Sequence, residues 1–129
     1  MSEYVYLNGA IIPGSEAKIS VFDAGLTHAA GLFETFRAYN GKVMRLEDHL
    51  QRLTASSASL ELELAVDQAA IKRGIAELLA ANNLSNARLR LTLTPGSVAR
   101  PRETPAERPE PTVLIVASEV EGYPDALYT

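Results

Sequence analysis

Residues 32–53, LFETFRAYNGKVMRLEDHLQRL, carry the signals of a β-hairpin followed directly by a helix. Leu32 to Tyr39 is rich in aromatic residues, which favour strands. Asn40-Gly41 supplies the positive φ angles that a two-residue type I′ turn needs. From Leu46 onward the apolar residues Leu46, Leu50 and Leu53 fall at i, i+4 and i+7, the spacing of one helical face. The stretch therefore predicts two antiparallel strands and then an amphipathic helix.

The residues on either side of this stretch predict another hairpin and another helix. Asn8-Gly9 separates two short strand-like runs near the start of the chain, which indicates a tight turn. The helix that starts at Leu46 is predicted to continue to about Leu60. A second helix is predicted from Asp67, a good N-cap, to about Ala81. Its apolar stripe consists of Ile71, Ile75, Leu78 and Leu79.

Two strands are predicted in the last third of the sequence. Arg88 to Thr94 alternates leucines with polar residues, as a half-buried strand does. Thr112 to Ala117 is a continuous apolar run, which predicts a fully buried strand. Between them, Ala99 to Pro111 holds four of the seven prolines and predicts an extended loop. The order of elements predicts an α+β fold, a two-layer domain with an antiparallel sheet and two helices on one face.

Composition excludes several classes of protein. A length of 129 residues predicts one domain. No apolar run approaches the roughly 20 residues that span a bilayer, and no signal peptide is visible, so we expect a cytoplasmic protein without a membrane partner. A net charge of −4 argues against a nucleic-acid partner. The absence of cysteine excludes thiolate chemistry, and His28 and His49 are too few and too far apart to indicate a metal site.

Several charged residues leave two interpretations open. Glu34, in the middle of a predicted strand, is either a buried, paired carboxylate or an edge residue. Arg52 lies beside the apolar helix face, where its head either reaches solvent or binds an anion such as a phosphate. The simpler interpretation of Arg90 is a polar sheet face. For Arg100 and Arg102, which flank Pro101, it is solvation.

Two linked motifs resemble the start of the class IV aminotransferases, the fold-type IV enzymes that use pyridoxal phosphate (PLP). They are VFDAGLTHAAGLFETFRAYNGK at residues 21–42 and RLEDHLQRL at residues 45–53. The family includes branched-chain aminotransferase, D-amino acid aminotransferase and aminodeoxychorismate lyase. The resemblance covers essentially the whole chain and implies that residues 1–129 are the small N-terminal domain of that fold. The chain departs from the pattern at Ala29-Ala30-Gly31, where the family commonly has Gly-Asp-Gly.

The resemblance also implies roles for individual residues. Arg52 is expected to bind the phosphate of PLP, so the resemblance favours anion binding over a head that merely reaches solvent. The expected substrate-binding residues are Phe33, Thr35 and Arg37 on one strand face, Arg90 as in the branched-chain enzymes, and Arg100 with Arg102 as in the D-amino acid enzymes. Because both carboxylate-binding patterns are present, the resemblance leaves the substrate unassigned. The loop from Thr94 to Arg100 looks closer to the D-amino acid and lyase members.

The three lysines bear on catalysis, because PLP chemistry needs a lysine as its Schiff-base partner. In the resembled family that lysine lies in a second domain. Lys18, Lys42 and Lys72 match no such motif, and each is expected to be solvated. The resemblance therefore implies no catalytic residue in this chain, a C-terminal PLP-lysine domain absent from it, and no transamination by the 129 residues alone.

For the intact protein the resemblance implies a homodimeric enzyme that moves an amino group between an amino acid and a 2-oxo acid. The amino acid is expected to be of the D- or the branched-chain type. One alternative is a lyase that forms 4-aminobenzoate from aminodeoxychorismate. A second alternative, from a different class, is a non-catalytic interaction module that has kept this domain alone.

Overall fold

The computed structural model describes residues 3–27, 29–59, 67–96 and 111–120. They form one antiparallel six-stranded sheet with the strand order β2-β1-β6-β5-β3-β4. The strands are β1 (Tyr4–Leu7), β2 (Ala10–Pro13), β3 (Leu32–Tyr39), β4 (Lys42–Val43), β5 (Ala87–Thr94) and β6 (Thr112–Glu119). The helices are the single turn α1 (Ala24–Thr27), α2 (Leu46–Ser59) and α3 (Gln68–Ala81), with a 3-10 turn at Gly14–Glu16. No helix in these ranges is long and apolar enough to span a membrane.

Both predicted hairpins are confirmed. Asn8 and Gly9 connect β1 to β2 with φ angles of 49° and 94°. Asn40 and Gly41 connect β3 to β4 with φ angles of 48° and 79°. Two consecutive positive φ angles are the requirement of a type I′ turn, whose twist matches that of the flanking strands.

The two long helices pack on the same face of the sheet, which confirms the predicted α+β layers. α2 packs against β3, and α3 packs against β1, β2 and β6. Their buried leucines and isoleucines join the inward side chains of the strands in one core. The members with less than 2% exposure are Phe36, Leu50, Leu53, Ile75, Leu78, Leu89, Leu91, Leu93 and Ile115.

The second helix begins and ends as its sequence predicts. Asp67 caps α3, and its side chain accepts a hydrogen bond of 3.0 Å from the backbone N–H of Ala70. At the other end, the side chain of Asn82 accepts from the N–H of Tyr4 at 2.9 Å and donates to the carbonyl of Tyr4 at 3.0 Å. The side-chain amide of Asn82 thus makes the same pair of hydrogen bonds to Tyr4 that a neighbouring strand would make, and it joins the end of α3 to β1.

The prediction that β6 is fully buried is wrong. Ile115 and Ala117 are inaccessible, whereas Val116 between them is 37% exposed. Successive side chains of a strand point to opposite faces, and the described helices cover only one face of this sheet. A run of apolar residues does not reveal whether anything covers the second face of a sheet. The sequence alone therefore could not distinguish a strand buried on both faces from a strand buried on one.

All three lysines reach solvent, as expected from the sequence. Lys18 and Lys42 are exposed. Lys72 on α3 is 38% exposed and forms an ion pair with Glu47 on α2. The pair links the two long helices on their exposed sides, a contact that no spacing within either helix predicts.

Ala29 adopts the left-handed backbone region, with a φ of 53°. For a residue with a Cβ this conformation costs about 1–2 kcal/mol, and glycine commonly stands at this position in the family that the sequence resembles. We expect Ala29→Gly to raise the free energy of unfolding by about 0.5 kcal/mol, because the relief of strain exceeds the added backbone entropy of glycine in the unfolded chain.

Ala30→Gly is the matched control for this substitution, since Ala30 has no positive φ. It should lower the free energy of unfolding by about 0.5–1 kcal/mol. Urea unfolding of both variants measures the difference. Equal destabilisation by the two glycines would contradict the strain assigned to Ala29.

Candidate functional site

A buried carboxylate, an arginine and a histidine meet where β3 packs against α2. Glu34 lies on the core face of β3, and its side chain is only 10% exposed. His49 and Arg52 lie three residues apart on α2, so they project from the same side of that helix. Glu34 is therefore a buried, paired carboxylate, which decides between the two interpretations that its sequence position left open.

The Glu34 carboxylate binds Arg52 through both of its oxygens. Arg52 Nε donates to Oε1 at 3.0 Å, and Arg52 Nη2 donates to Oε2 at 3.1 Å. Two parallel charge-assisted hydrogen bonds fix the plane of the guanidinium as well as its distance. Burial raises the pKa of Glu34, but the hydrogen bonds from Arg52 and His49 and the positive charge of Arg52 outweigh burial and hold that pKa below its ordinary value of 4.5.

His49 is the third member of the Glu34 cluster, which consists of Glu34, His49 and Arg52. Its Nδ1 lies 3.0 Å from Glu34 Oε2 and 2.9 Å from Arg52 Nη2. We assign a proton to Nδ1 that it donates to the carboxylate, because an unprotonated Nδ1 would direct its lone pair at the anionic Oε2. The ring of Phe36 meets the His49 ring edge-on, with centroids 5.1 Å apart and planes at 85°.

One edge of the Arg52 guanidinium is left open. Its Nε and Nη2 are held by Glu34, while Nη1 donates to no group in the described part of the chain. The side chain is 64% exposed. The carboxylate of Glu34 also raises the pKa of Arg52 above its ordinary value, so the group is a permanent cation. A fixed cation with free N–H donors suits an oxyanion, and a phosphate contact at Arg52 stays a prediction.

The predicted substrate residues of β3 share the sheet face opposite the core. Phe33, Thr35 and Arg37 alternate with the inward side chains of the strand. Arg90 on β5 lies on this face as well, with its guanidinium carbon 4.7 Å from the centroid of the Phe33 ring. The structure thus brings four of the predicted substrate residues together on one surface. The other two, Arg100 and Arg102, lie outside the described residues, as does His28.

An open depression of about 510 Å³ adjoins this surface. Its lining residues are Thr35, Phe36, Arg37, Met44, Arg45, His49, Arg88 and Arg90. The sheet register places Arg37 directly opposite Arg88, and Thr35 opposite Arg90. Four of the lining residues are arginines, whose planar guanidinium groups suit a carboxylate or another small anion.

Sequence reasoning missed Arg45 and Arg88 as lining residues. Arg88 precedes Arg90 by two residues on the same strand, so the alternation that placed Arg90 could also have found Arg88. Arg45 lies between β4 and α2 with a φ of 52°. No pattern in its neighbours indicates that position, because it depends on how the helix packs against the hairpin.

A second buried carboxylate, Asp23, lies at the ends of β5 and β6. Asp23 is 2% exposed, and it accepts hydrogen bonds from Thr94 Oγ1 at 2.7 Å, Thr112 Oγ1 at 2.6 Å and the N–H of Gly25 at 2.8 Å. The carboxylate joins the turn before β3 to two strand ends. Asp23 lies within the first of the two motifs, but nothing in its sequence context indicates this role. Its partners are too distant along the chain to be found by spacing.

The described residues contain no group of three or more His, Cys, Asp or Glu side chains that could hold a metal ion. His49, the one histidine among them, is engaged with Glu34 and Phe36. The chemistry that these residues offer is the binding of anions by arginine.

Comparison with known proteins matches the chain to enzymes. A family model described as amino-transferase class IV matches residues 31–128. A putative branched-chain-amino-acid aminotransferase of Methanocaldococcus jannaschii is 37% identical over 113 residues, which cover 88% of this chain and 39% of that protein. A D-alanine aminotransferase of Staphylococcus haemolyticus is 29% identical over 117 residues, or 91% of this chain and 42% of that protein.

An aminodeoxychorismate lyase of Bacillus subtilis is 35% identical over 94 residues, or 71% of this chain and 32% of that protein. Among solved structures, a branched-chain amino acid aminotransferase from T.th. with pyridoxamine 5'-phosphate superposes with a TM-score of 0.80 at 26% identity. The match covers 95% of this chain and 41% of that one. The matched part of the chain thus covers between 32% and 42% of the length of these three relatives.

Proposed function

Since the chain belongs to the class IV amino-transferase family, we propose that residues 1–129 are the N-terminal domain of a PLP-dependent aminotransferase. In this proposal the rest of the enzyme supplies the Schiff-base lysine, and none of the lysines described above is catalytic. The single observation that carries the proposal is Arg52, a permanent cation whose plane is fixed by Glu34 and whose Nη1 edge is open.

Arg52 would hold the phosphate of PLP. The open edge offers N–H donors in the planar arrangement that suits a phosphate, and the exposure of the side chain leaves room for one. The structurally similar T.th. aminotransferase was solved with pyridoxamine 5'-phosphate, a related form of the cofactor. When bound, PLP supplies the electron sink for cleavage of a bond at the amino acid's α-carbon.

The arginine-lined surface would bind and orient the substrate carboxylate. Arg37 and Arg90 lie on one face with Thr35 and Phe33, beside the depression described above. Holding the carboxylate there converts a collision into an oriented, nearly unimolecular reaction. Arg100 and Arg102, which lie outside the described residues, would contribute to the same carboxylate site. The substrates in this proposal are an amino acid of the branched-chain or D-type and a 2-oxo acid.

The proposal further holds that the enzyme is a homodimer, as its family resemblance implies, and that it is cytoplasmic, as expected in the sequence analysis. A second candidate activity is aminodeoxychorismate lyase, which would release 4-aminobenzoate with the same cofactor. It is favoured by the 35% identity to the Bacillus subtilis lyase. Mass spectrometry of the products of the full-length enzyme separates the two: a 2-oxo acid supports transamination, and 4-aminobenzoate supports the lyase.

Substitution of Arg52 tests the proposed cofactor contact. In the full-length enzyme we expect Arg52→Ala to raise the dissociation constant of PLP about 10- to 100-fold, because each lost charge-assisted hydrogen bond is worth about 1.5–3 kcal/mol. Titration of the apoenzyme with PLP, followed by absorbance, measures this constant. Arg73→Ala, which removes an exposed arginine of α3, is the control and should leave it unchanged. Unchanged affinity in Arg52→Ala would refute the contact.

A further inference from the structure

We propose that Glu34 is a positioning residue that sets which edge of the Arg52 guanidinium meets the phosphate of the cofactor. This inference rests on the proposed function, since it assumes that Arg52 binds that phosphate. Glu34 itself would touch neither the cofactor nor the substrate. It would act through Arg52, by occupying the Nε and Nη2 side and leaving the Nη1 edge facing outward.

The first argument for this role is the geometry of the Glu34–Arg52 pair. Arg52 is a long side chain with 64% exposure, and without a partner it would sample many rotamers. Two hydrogen bonds of 3.0 and 3.1 Å to one carboxylate hold the planar group in a single orientation. A preorganised donor binds an anion without losing that rotamer entropy again.

The second argument is that Glu34 itself is held rigidly. Its backbone lies in the middle of β3 and is paired with β5, where Glu34 lies opposite Leu91. Its carboxylate is 10% exposed and also accepts from His49, whose ring rests against Phe36. The cluster that orients Arg52 is therefore built on a strand and a helix rather than on a loop, and such sites hold their geometry more closely.

The negative charge of Glu34 by itself would weaken phosphate binding, whereas its orientation of Arg52 would strengthen it. Because the two effects have opposite signs, the inference can be tested. A carboxylate next to Arg52 repels a phosphate, so removal of its charge alone would tighten phosphate binding. Solvent would screen this repulsion strongly, because Arg52 is mostly exposed, and the positive guanidinium would lie between the two anions. Loss of orientation acts directly on the hydrogen bonds to phosphate. We therefore expect weaker binding when Glu34 is neutralised.

The experiment compares PLP with pyridoxal, which lacks the phosphate, on the full-length apoenzyme. Glu34→Gln keeps the shape of the side chain but places an amide N–H₂ group against the guanidinium. Its dissociation constant for PLP should rise about tenfold, and that for pyridoxal should stay within about twofold of the wild-type value. Glu47→Gln removes the same charge from an acidic residue of α2 that does not contact Arg52, so it should change neither constant.

Two further variants separate positioning from a structural role. Glu34→Asp keeps the charge but shortens the side chain, and it should also weaken PLP binding relative to pyridoxal; it serves as the test if Glu34→Gln does not fold. In an Arg52→Ala background, Glu34→Gln should have no additional effect on PLP affinity, because the residue through which it acts is gone.

Each other outcome overturns the inference. Tighter PLP binding in Glu34→Gln would show that Glu34 chiefly repels the phosphate. Equal losses for PLP and pyridoxal, or a full effect in the Arg52→Ala background, would show a general structural role. If Arg52→Ala weakens PLP binding and both Glu34 variants bind PLP as the wild type does, the inference fails and the proposed function stands. If Arg52→Ala itself leaves PLP affinity unchanged, the proposed phosphate contact fails first.

Discussion

Asp23→Ala is expected to lower the free energy of unfolding by about 3–5 kcal/mol. The substitution removes the acceptor of three hydrogen bonds at once. The hydroxyls of Thr94 and Thr112 and the N–H of Gly25 are then left without their partner in a region that is nearly closed to solvent. Urea unfolding of the purified chain measures the loss. Asp48→Asn, at an exposed position of α2, is the control and should change stability by less than about 0.5 kcal/mol.

Asp23→Asn should cost much less, about 1–2 kcal/mol. Oδ1 of Asp23 serves Thr94 and Gly25, whereas Oδ2 serves Thr112 alone. An asparagine can keep its oxygen on the first side and direct its N–H₂ group to Thr112, whose hydroxyl can turn and accept. A loss in the asparagine variant as large as in the alanine variant would contradict the assignment of the partners to the two oxygens.

The same carboxylate predicts how stability depends on pH. Burial raises the pKa of Asp23, but the hydrogen bonds from Thr112, Thr94 and Gly25 outweigh burial and hold it below the ordinary value of 3.8. A lowered pKa in the folded state means that the stabilisation is complete above the unfolded pKa and is lost as pH falls through the folded pKa. Glu34 acts in the same direction.

We therefore expect the free energy of unfolding to vary little in response to these two groups between about pH 7 and pH 5, and to fall below about pH 4. The difference between wild type and Asp23→Asn should shrink over the same acidic range, because the asparagine does not titrate. Urea unfolding at a series of pH values measures both curves. A constant difference down to about pH 2 would contradict the lowered pKa of Asp23.

Phe36→Ala is the second substitution with a large expected effect, a loss of about 3–5 kcal/mol. Phe36 has no exposed surface, and its removal leaves a cavity in the core between β3 and the helices. Its ring also supports His49, so the substitution should loosen the Glu34 cluster as well.

Phe33→Ala is the matched control for stability, since it removes the same side chain three residues earlier on the same strand. Phe33 is 57% exposed on the other sheet face, where it contacts Arg90. Its replacement should cost about 1 kcal/mol or less, the worth of a cation–π contact at an exposed site. Urea unfolding of the two variants gives the comparison, and similar losses at the two positions would contradict the assignment of faces.

Much of the fold could be predicted from residues that are close together along the chain. The turns at Asn8-Gly9 and Asn40-Gly41, the cap at Asp67 and the apolar stripe of α3 are local patterns, and the structure confirms each of them. The faces of β3 followed in the same way from its alternation. These features depend on backbone preference and side-chain period, which a short window of sequence contains.

The candidate site could be predicted only in part. Phe33, Thr35 and Arg37 share a face because they alternate on one strand, and Arg90 joins them through the pairing of β3 with β5. Arg52 was expected to contact a phosphate, but its pairing with Glu34 was not foreseen. That pair connects residues 18 positions apart, and it depends on the angle at which α2 crosses the sheet.

The sequence by itself determined the membership in a family, the main elements of the fold and the faces of β3 and β5. Tertiary structure alone decided which charges meet: Glu34 with Arg52 and His49, and Asp23 with Thr94 and Thr112, which lie 71 and 89 positions away from it. The physical reason is that such contacts require helix packing and sheet register to be in place first. A periodic pattern shows which way a side chain points, whereas only the packed chain determines what it touches.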